Sequence, residues 1–356
     1  MKNLIKKIIL ILILLLTAII IFLSTLGFET SNFNEIISKQ IKITYASSDI
    51  KLKKIKIKLD LKNRNLFLST ENPSIVYKKT DIPVKKFDIY FDFLDLLKSK
   101  IKIKKAIIEI DEFEINKAKS VLVGIKPSNL KTLLLNNFSN GTIKLNLNLD
   151  FNENLKIDDF KVSGYIKKGN LLLSNKVKLI NTNFNFIADK KLILINSIKT
   201  NYNGLPINNG SIKILKKENL FLEGALDSRF DIEQNILKKI ILNFNQTNIL
   251  NNKIILKGNI LSKFKLNFSE TLELIDYDLE VAGEISESKI IFTNELKNDL
   301  LPKSISNLSF DKTKIFLNFS KNKKPKILLE GKYSINNGNN FYTFNIKNLI
   351  ENKNSI

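Results

Sequence analysis

The chain has 356 residues, 44% of them hydrophobic, and its 57 Lys and Arg residues against 35 Asp and Glu give a formal net charge of +22. The absence of Cys and His excludes disulfides, thiolate zinc sites, cysteine nucleophiles and histidine acid–base catalysis. The positive charge favours an anionic partner, such as phospholipid headgroups, nucleic acid or an acidic polymer, and a compositional bias toward Lys, Asn and Ile explains it equally well.

An uncharged segment, Ile8 to Phe28, follows the lysines of the N-terminus. As a helix it would be about 31 Å long, which is the length that a bilayer core requires. Because Lys2, Lys6 and Lys7 precede this segment, the positive-inside rule keeps the N-terminus in the cytoplasm. The rest of the chain is then predicted to lie outside the cytoplasm.

A cleaved signal peptide is the alternative to a retained anchor. Thr25 and Gly27 are small residues that suit a cleavage site. The apolar run is, however, longer than the roughly 7–15 residues of a signal-peptide core. The sequence therefore favours a retained transmembrane anchor that comprises residues 1–30. No second apolar run of this length follows it.

Period-two alternation dominates the chain after the anchor. The segment "IKLNLNL" (Ile143 to Leu149) places an apolar residue at every odd position and a polar one at every even position. This pattern is typical of strands with one apolar and one solvated face. The predicted strands are Ile50–Leu61, Leu66–Ser69, Ser74–Lys78, Lys86–Phe91, Ile101–Ile110, Ile143–Phe151, Leu171–Ser174, Asn183–Ile187, Leu192–Ile195, Ser211–Leu215, Lys253–Ile260, Phe264–Phe268, Tyr277–Glu284, Lys289–Phe292, Lys314–Phe319, Ile327–Tyr333 and Phe341–Ile346.

Short connections indicate that these strands run antiparallel, since parallel neighbours need a crossover of a dozen or more residues. Turn sequences that tolerate positive φ separate several of them: Asn140-Gly141, Lys168-Gly169-Asn170, Asn203-Gly204, Asn209-Gly210 and Asn337-Gly338. A few short helices are predicted between the strands, at Asn32–Gln40, Phe93–Lys100, Ser128–Asn137 and Asp231–Phe244.

Glycine recurs inside predicted strands in the motif apolar–any–Gly–any–apolar. In period two, each such glycine lies on the apolar face, where it marks a bend or a close approach of another strand. A sheet that curls strongly needs low-bulk positions on its concave side, and chance placement of a few glycines is the alternative. The glycines are Gly164, Gly224, Gly258, Gly283 and Gly331.

An open sheet with one apolar face must hide that face. Packing against a second sheet would give a dry sandwich core, whereas a curled sheet could hold an apolar ligand. Under the second interpretation a groove would be lined by Ile143, Leu145, Leu147, Leu149, Leu222, Leu226, Leu256, Ile260, Val281, Ile285 and Leu329.

Three features of the chain resemble the AsmA-like family of bacterial envelope proteins, which includes TamB-like and YhdP-like members. They are the Lys-flanked N-terminal segment, the glycine-containing strands and the stretch "FDIYFDFLDLLKSKIKIKKAIIEIDEFEI" (Phe87 to Ile115). In that family a strand runs into a short "LL" helix and then a further apolar strand. The matching positions are Leu94, Leu96, Leu97, Lys100, Ile101, Ile103, Ile107, Ile108, Ile110 and Ile115.

The resemblance implies a mainly β protein: a transmembrane helix in the bacterial inner membrane, then an elongated, curled antiparallel β-groove in the periplasm with a few short helices. Residues 1–30 would be the anchor, 31–130 and 131–348 successive parts of the groove, and 349–356 a polar tail. It also implies a lipid-binding or lipid-transfer role between inner and outer membranes, with phospholipid or another acyl-chain lipid as ligand. An outer-membrane or envelope protein is a further possible partner.

Candidate catalytic chemistry is sparse. The acidic segment Glu109 to Ile115 lacks Ca²⁺-loop spacing and alternates with apolar residues, as in a solvated strand face. The lysines of Lys51–Lys58 and Lys98–Lys105 alternate with Ile without stacking aromatics, unlike proteins that bind single-stranded nucleic acid. We therefore expect neither an enzyme nor a nucleic-acid binder, and no metal or cofactor. The alternative function is a scaffold for outer-membrane protein assembly by strand-edge pairing.

Overall fold

A computed structural model describes residues 2–349 except 33, 45–47, 63–64, 92–102, 123–134, 155, 175–176, 242–251 and 298–302. Within these residues 18 strands belong to one large antiparallel sheet and three strands form a small second sheet. The predicted mainly β class with antiparallel order and few helices is therefore confirmed. The chain divides into two compact units: unit 1 comprises Met1–Lys126, Thr142–Gly164 and Ile187–Lys190, and unit 2 comprises Pro127–Gly141, Tyr165–Phe186 and Lys191–Ile356.

The N-terminal helix α1 spans Lys2–Thr25. Its segment Leu4–Thr25 is long and apolar enough to cross a membrane, and none of the tested window is buried inside the structure. An apolar helix of this length with all its faces exposed is suited to hydrocarbon. The predicted anchor therefore has the required helix, and its orientation stays a prediction.

In the described part of the chain, the helices after α1 include α2 (Asn34–Thr44), α3 (Ile115–Leu122) and α4 (Gln234–Ile241), and residues 135–137 are also helical. The predicted helices at Asn32–Gln40 and Asp231–Phe244 correspond to α2 and α4, although Asp231 still belongs to a strand. The prediction at Phe93–Lys100, and most of the one at Ser128–Asn137, lie outside the described residues. Helix α3 was not predicted: it is only eight residues long and follows β8 directly, with no intervening residue to mark its start.

The strands are, in chain order, β1 (Phe28–Thr30), β2 (Ser48–Lys51), β3 (Ile55–Asp60), β4 (Asn65–Glu71), β5 (Ser74–Tyr77), β6 (Thr80–Ile82), β7 (Val84–Phe91), β8 (Ile103–Glu114), β9 (Phe138–Ser139), β10 (Thr142–Phe151), β11 (Ile157–Ser174), β12 (Val177–Ala188), β13 (Leu192–Tyr202), β14 (Leu205–Ile207), β15 (Asn209–Lys216), β16 (Leu220–Glu233), β17 (Lys253–Phe268), β18 (Leu274–Leu296), β19 (Ile305–Ser320), β20 (Lys326–Ile335) and β21 (Tyr342–Leu349).

Three turn predictions are correct and two are wrong. Asn337-Gly338 lies in the turn between β20 and β21. Asn140-Gly141 and Asn203-Gly204 have positive φ at both residues, at 57° and 77° and at 52° and 99°, as type I′ hairpin turns require. Lys168-Gly169-Asn170 and Asn209-Gly210 lie instead within strands β11 and β15. Turn-forming residues in long strands of this chain therefore do not always end the strand.

Unit 1 has a dry core on one face of its sheet. Strands β1, β3, β4, β7, β8 and β10 pair in this order. The register places apolar side chains of successive strands opposite one another, and the central cluster is buried, with Ile55 only 1% exposed. Ile37 of α2, and Ile75 and Ile82 of the small sheet β2–β5–β6, pack against this cluster. The apolar face of unit 1 is therefore covered by the chain itself.

Unit 2 is dominated by a regular meander. Strands β13, β15, β16, β17, β18, β19, β20 and β21 pair as antiparallel neighbours in this order. Strand β14 pairs with β13, and β9 pairs with β11. Helix α4 follows β16 directly and contacts β16 and β17. The meander gives unit 2 one broad sheet surface built from consecutive hairpins.

Candidate functional site: the apolar face of unit 2

Side chains that face one another across the strands of unit 2 form continuous apolar rows, because opposed residues of antiparallel strands point to the same side of a sheet. We call this surface the apolar face of unit 2. Its three central rows are Ile195, Ile212, Gly224, Phe264, Leu279 and Phe319; Gly210, Leu226, Ser262, Val281, Leu317 and Ile327; and Ile260, Gly283, Ile315, Leu329 and Ile346.

The apolar face is only half covered. The predicted lining residues of unit 2 lie on strands β16, β17, β18 and β20, and every one of them is half-buried: Leu222, Leu226, Leu256, Ile260, Val281, Ile285 and Leu329. Two of their neighbours on the same face, Leu279 and Ile346, are 37% and 50% exposed. This partial exposure differs from the dry core of unit 1.

One end of the face is closed. Ile232 and Ile254, near the end of β16 and the start of β17, are 4% and 5% exposed. Helix α4 contacts both strands, and the side chain of Ile236 in α4 lies against the Gly204 turn. In the part of the chain that the structure describes, the covering of the apolar face is therefore concentrated at the α4 end.

The other predicted lining residues lie in unit 1. Ile143, Leu145, Leu147 and Leu149 lie on β10 and are half-buried. Leu145 and Leu147 pack against the buried cluster of unit 1, which gives them apolar protein partners. The structure thus places the predicted lining in two units, and the seven residues of unit 2 share one face.

The predicted glycines of unit 2 lie on the apolar face, and other strands occupy the space that a side chain would need. A Cβ atom on Gly224 would lie 2.5 Å from Cζ of Phe264, and one on Gly258 would lie 2.9 Å from the Cα of Ile285. A Cβ on Gly331 would lie 2.7 Å from Oγ1 of Thr313. Glycine is required at these positions because the neighbouring strand approaches the backbone closely. Gly164 lies in β11 and is half-buried.

Two other features of the face were missed in the sequence. Gly210 has the same role as the predicted glycines, since a Cβ there would lie 2.6 Å from Cδ2 of Leu226. An aromatic cluster also lies on the face: the ring centroids of Phe310 and Phe344 are 5.7 Å apart, and those of Tyr333 and Tyr342 are 5.6 Å apart. The alternation of β20 and β21 contained the signal for Tyr333, Tyr342 and Phe344, whereas Phe310 reaches this face only because the register between β19 and β20 shifts between Asp311 and Lys314.

The opposite face of unit 2, which we call the polar face, carries exposed ion pairs beside one short apolar row of Leu261, Ala282, Phe316 and Leu328. Lys257 Nζ lies 3.7 Å from Asp231 Oδ2 and 3.4 Å from Glu287 Oε2, and these two carboxylates raise the pKa of Lys257. Lys263 Nζ lies 3.1 Å from Glu280 Oε1. Exposed pairs of this kind contribute little to stability and keep the face solvated.

A β-bulge produces a shallow depression on this polar face. The register between β17 and β18 shifts between Lys257 and Gly258. The depression has a volume of about 600 Å³ and includes Arg229, Asp231, Asn259 and Ser286 in its lining. The depression opens widely to solvent, and Lys257 and Asp231 form an ion pair in its lining.

Asp278 on the polar face provides a test of the register between β18 and β19. Ser320 Oγ donates a hydrogen bond to its carboxylate at 2.7 Å, and this bond is the main reason that the pKa of Asp278 is lowered. We expect Ser320→Ala to raise the pKa of Asp278, as measured by NMR titration of its side-chain carboxyl carbon. The folded-state pKa of Asp278 lies below its unfolded value, so the hydrogen bond stabilises the fold at pH values above the unfolded pKa. Ser320→Ala should therefore be less stable than the unmodified chain in that range, and the difference should disappear as the pH falls through the folded pKa.

Ser309→Ala is the matched control for this titration, because Ser309 lies on the same strand opposite Lys289 and Ser334. The Asp278 pKa should be the same in this variant as in the unmodified chain. An unchanged pKa in Ser320→Ala would contradict the hydrogen bond and the register that brings the two side chains together.

Among the described residues, no group of three or more Asp, Glu, His or Cys side chains is placed to hold a metal ion. No family model, curated protein or solved structure matches this chain. Any functional assignment must therefore come from the chain's own geometry, and the broadest chemical feature of that geometry is the half-covered apolar face of unit 2.

Proposed function

We propose that this chain is a membrane-anchored lipid-binding protein that carries acyl-chain lipid, such as phospholipid, on the apolar face of unit 2. The observation that carries the proposal is the continuous set of half-buried apolar rows across β13 and β15–β21. These rows are too exposed for a finished core and too extensive for scattered surface residues. Hydrocarbon that does not belong to the polypeptide would complete their burial.

The size of the face suits acyl chains. Eight neighbouring strands at about 4.8 Å spacing make it about 34 Å wide, whereas the acyl chains of one bilayer leaflet extend only about 15 Å. Each methylene group removed from water contributes about 0.8 kcal/mol. Binding of this kind needs no particular polar residue, which agrees with a sequence that has no Cys or His.

The glycines support a curled sheet as part of the proposal. Gly224, Gly258, Gly283 and Gly331 allow side chains or backbone of neighbouring strands to approach on the apolar side. When side-chain bulk is missing from one face of a sheet and present on the other, the sheet can bend toward the face without the bulk. A face bent in this way would surround acyl chains as a groove while the lysines and carboxylates of the other face stay in water.

Helix α1 supports the cellular setting that we propose. It would anchor the chain in the bacterial inner membrane by a single pass, with the N-terminus in the cytoplasm and the β-units in the periplasm. Together with the sequence resemblance to AsmA-like proteins, this arrangement favours phospholipid transport between inner and outer membranes, or envelope biogenesis more broadly. The proposed role is non-enzymatic.

Photo-crosslinking tests the proposal with a matched pair of positions. Leu279 on the apolar face is 37% exposed and Leu261 on the opposite face is 39% exposed. A benzophenone amino acid at Leu279 should therefore cross-link to lipid in cells several times more efficiently than the same probe at Leu261, as detected by mass spectrometry of the purified chain. Equal cross-linking at the two positions would contradict a lipid-binding face.

Cross-linking of the Leu279 probe to polypeptide instead of lipid would favour the scaffold for outer-membrane proteins. In that outcome the apolar face would bind strands of a client protein, and the cross-linked product would show an increased mass on a denaturing gel. Probes at both positions share the same α1, so the lipid around the anchor contributes equally to both measurements.

A further inference from the structure

Unit 1 carries a cationic surface immediately beside the membrane-spanning helix. Five lysines lie within the eight residues from 51 to 58: Lys51, Lys53, Lys54, Lys56 and Lys58. They belong to β2, to β3 and to the segment between them. We call this group the basic edge, and its place in the fold follows from the pairing of β1 with β3.

Register fixes the distance between the basic edge and the end of the span. The pairing of Phe28 with Ile57 and of Glu29 with Lys56 places Gly27 opposite Lys58. The span ends at Thr25. Lys58 therefore lies level with Gly27, two residues after the span, and Lys56 lies level with Glu29, four residues after it. At about 3.3 Å per residue, Lys56 is therefore within about 13 Å of the end of the hydrocarbon span.

Close packing holds the edge at this position. Helix α1 contacts β3, and a Cβ atom on Gly27 would lie 2.8 Å from Cγ of Lys58, so the lysine stem passes directly over the glycine. Asn34 at the start of α2 donates from Nδ2 to the carbonyl oxygens of Leu52, at 3.1 Å, and Lys53, at 2.6 Å. The segment that carries Lys53 and Lys54 is thus fixed to α2.

Positive charge on the basic edge exceeds its local neutralisation. Glu29 is the carboxylate paired with it, at 3.2 Å from Lys56 Nζ and 3.5 Å from Lys54 Nζ. Its hydrogen bond with Lys56 and the charge of Lys54 lower the pKa of Glu29, so it stays ionised. No carboxylate in the described part of unit 1 forms an ion pair with Lys53 or Lys58.

Exposed apolar residues lie at the same level. Leu26 is 68% exposed and Phe28 is 55% exposed, directly after the span. Apolar and aromatic side chains beside lysines are typical of the region where a membrane protein leaves the hydrocarbon and passes the headgroups. The span, the apolar residues and the lysines therefore follow one another in the order of a bilayer surface.

We propose that the basic edge binds the anionic headgroups of the membrane that α1 enters. The inference goes beyond lipid carriage by unit 2 and rests on α1 as a retained span. Lysines within a Debye length of an anionic surface are attracted to it. Binding would hold unit 1 against the bilayer surface and enrich anionic phospholipid around the exit of α1.

The absence of Trp from the chain permits a clean measurement. Phe28→Trp places a single tryptophan beside the basic edge in the full-length protein, which is reconstituted into nanodiscs of neutral and anionic phospholipid. Bromine-labelled lipid, either phosphatidylcholine or phosphatidylglycerol, is added at equal mole fraction. We expect the anionic quencher to be at least about twofold more effective than the neutral one, and this ratio to fall as salt is raised.

Lys53→Gln, Lys54→Gln and Lys58→Gln combined should bring the quenching ratio to one, because Gln keeps much of the stem and removes the charge. The matched control is the same change at Lys213, Lys332 and Lys347, exposed residues of unit 2, which should leave the ratio unaltered. Circular dichroism checks that both variants are folded.

Three results would overturn the inference. A quenching ratio of one in the Phe28→Trp protein with all its lysines intact would exclude a preference for anionic lipid. A ratio above one that persists after the three lysines of the basic edge are changed to Gln would assign the preference to other residues. A full-length chain that does not co-elute with nanodiscs excludes the span itself. None of these results depends on whether Leu279 cross-links to lipid, so the two proposals can fail separately.

Discussion

Val281→Asp is expected to weaken lipid binding to the apolar face at least tenfold, measured as the lipid that the purified full-length chain retains relative to the Ala282→Asp variant. Val281 lies in a central row of the apolar face, opposite Ser262 on β17 and Leu317 on β19. A carboxylate at this position would have to lose its hydration against acyl chains, at a cost of several kcal/mol. Since about 1.4 kcal/mol corresponds to a tenfold change in binding, the expected loss is well within that cost.

Ala282→Asp is the matched control for this measurement. Ala282 is the next residue of β18, and its side chain is on the polar face, opposite Leu261 and Phe316. Both variants add one negative charge and both keep α1, so the lipid around the anchor is the same in each. Lipid is quantified by mass spectrometry after extraction, with circular dichroism to verify folding.

An equal loss of lipid in the two variants would attribute the effect to added charge and contradict the assignment of the face. Full retention in Val281→Asp would show that lipid binds elsewhere or not at all. The half-buried position of Val281 makes a folded variant the expected outcome, because the new carboxylate is not enclosed by protein in the free chain.

Sequence alternation predicts the faces of the strands well. Leu222, Leu226, Val281 and Leu329 were assigned to one apolar face from period two alone, and the register places all of them there. The reason is local: side-chain direction in a strand depends only on parity, as long as no bulge intervenes. Parity also assigned the glycines of unit 2 to the apolar side.

Alternation cannot tell which apolar face the chain covers. "IKLNLNL" in β10 has as perfect a pattern as any strand of unit 2, yet Leu145 and Leu147 pack into the core of unit 1. Cover depends on contacts remote in sequence, here on Ile37 of α2 and on the small sheet. The bulge at Lys257 and Gly258 was hidden for a similar reason, because it depends on the number of residues in the partner strand.

Gly283→Ala is expected to lower the free energy of unfolding by about 1–3 kcal/mol, the usual cost of forcing extra bulk into a packed site. A Cβ at Gly283 would overlap the carbonyl oxygen of Asn259 and lie 2.8 Å from the Cα of Ile260. These are backbone atoms of β17, so no side-chain rotation can relieve the contact. The two strands must separate, and the measurement is the urea midpoint of the full-length chain in detergent.

Gly338→Ala distinguishes this effect from a general cost of replacing glycine. Gly338 lies in the turn between β20 and β21, where the nearest atom to an added Cβ is the carbonyl oxygen of Ile335 at 3.1 Å. Removing a glycine from a turn that accepts Ala changes stability by no more than about 1 kcal/mol, usually in the stabilising direction. Equal stability of the Gly283 and Gly338 variants would mean that β17 and β18 do not approach closely at Gly283. The curvature that we propose for the apolar face would then lose its structural cause.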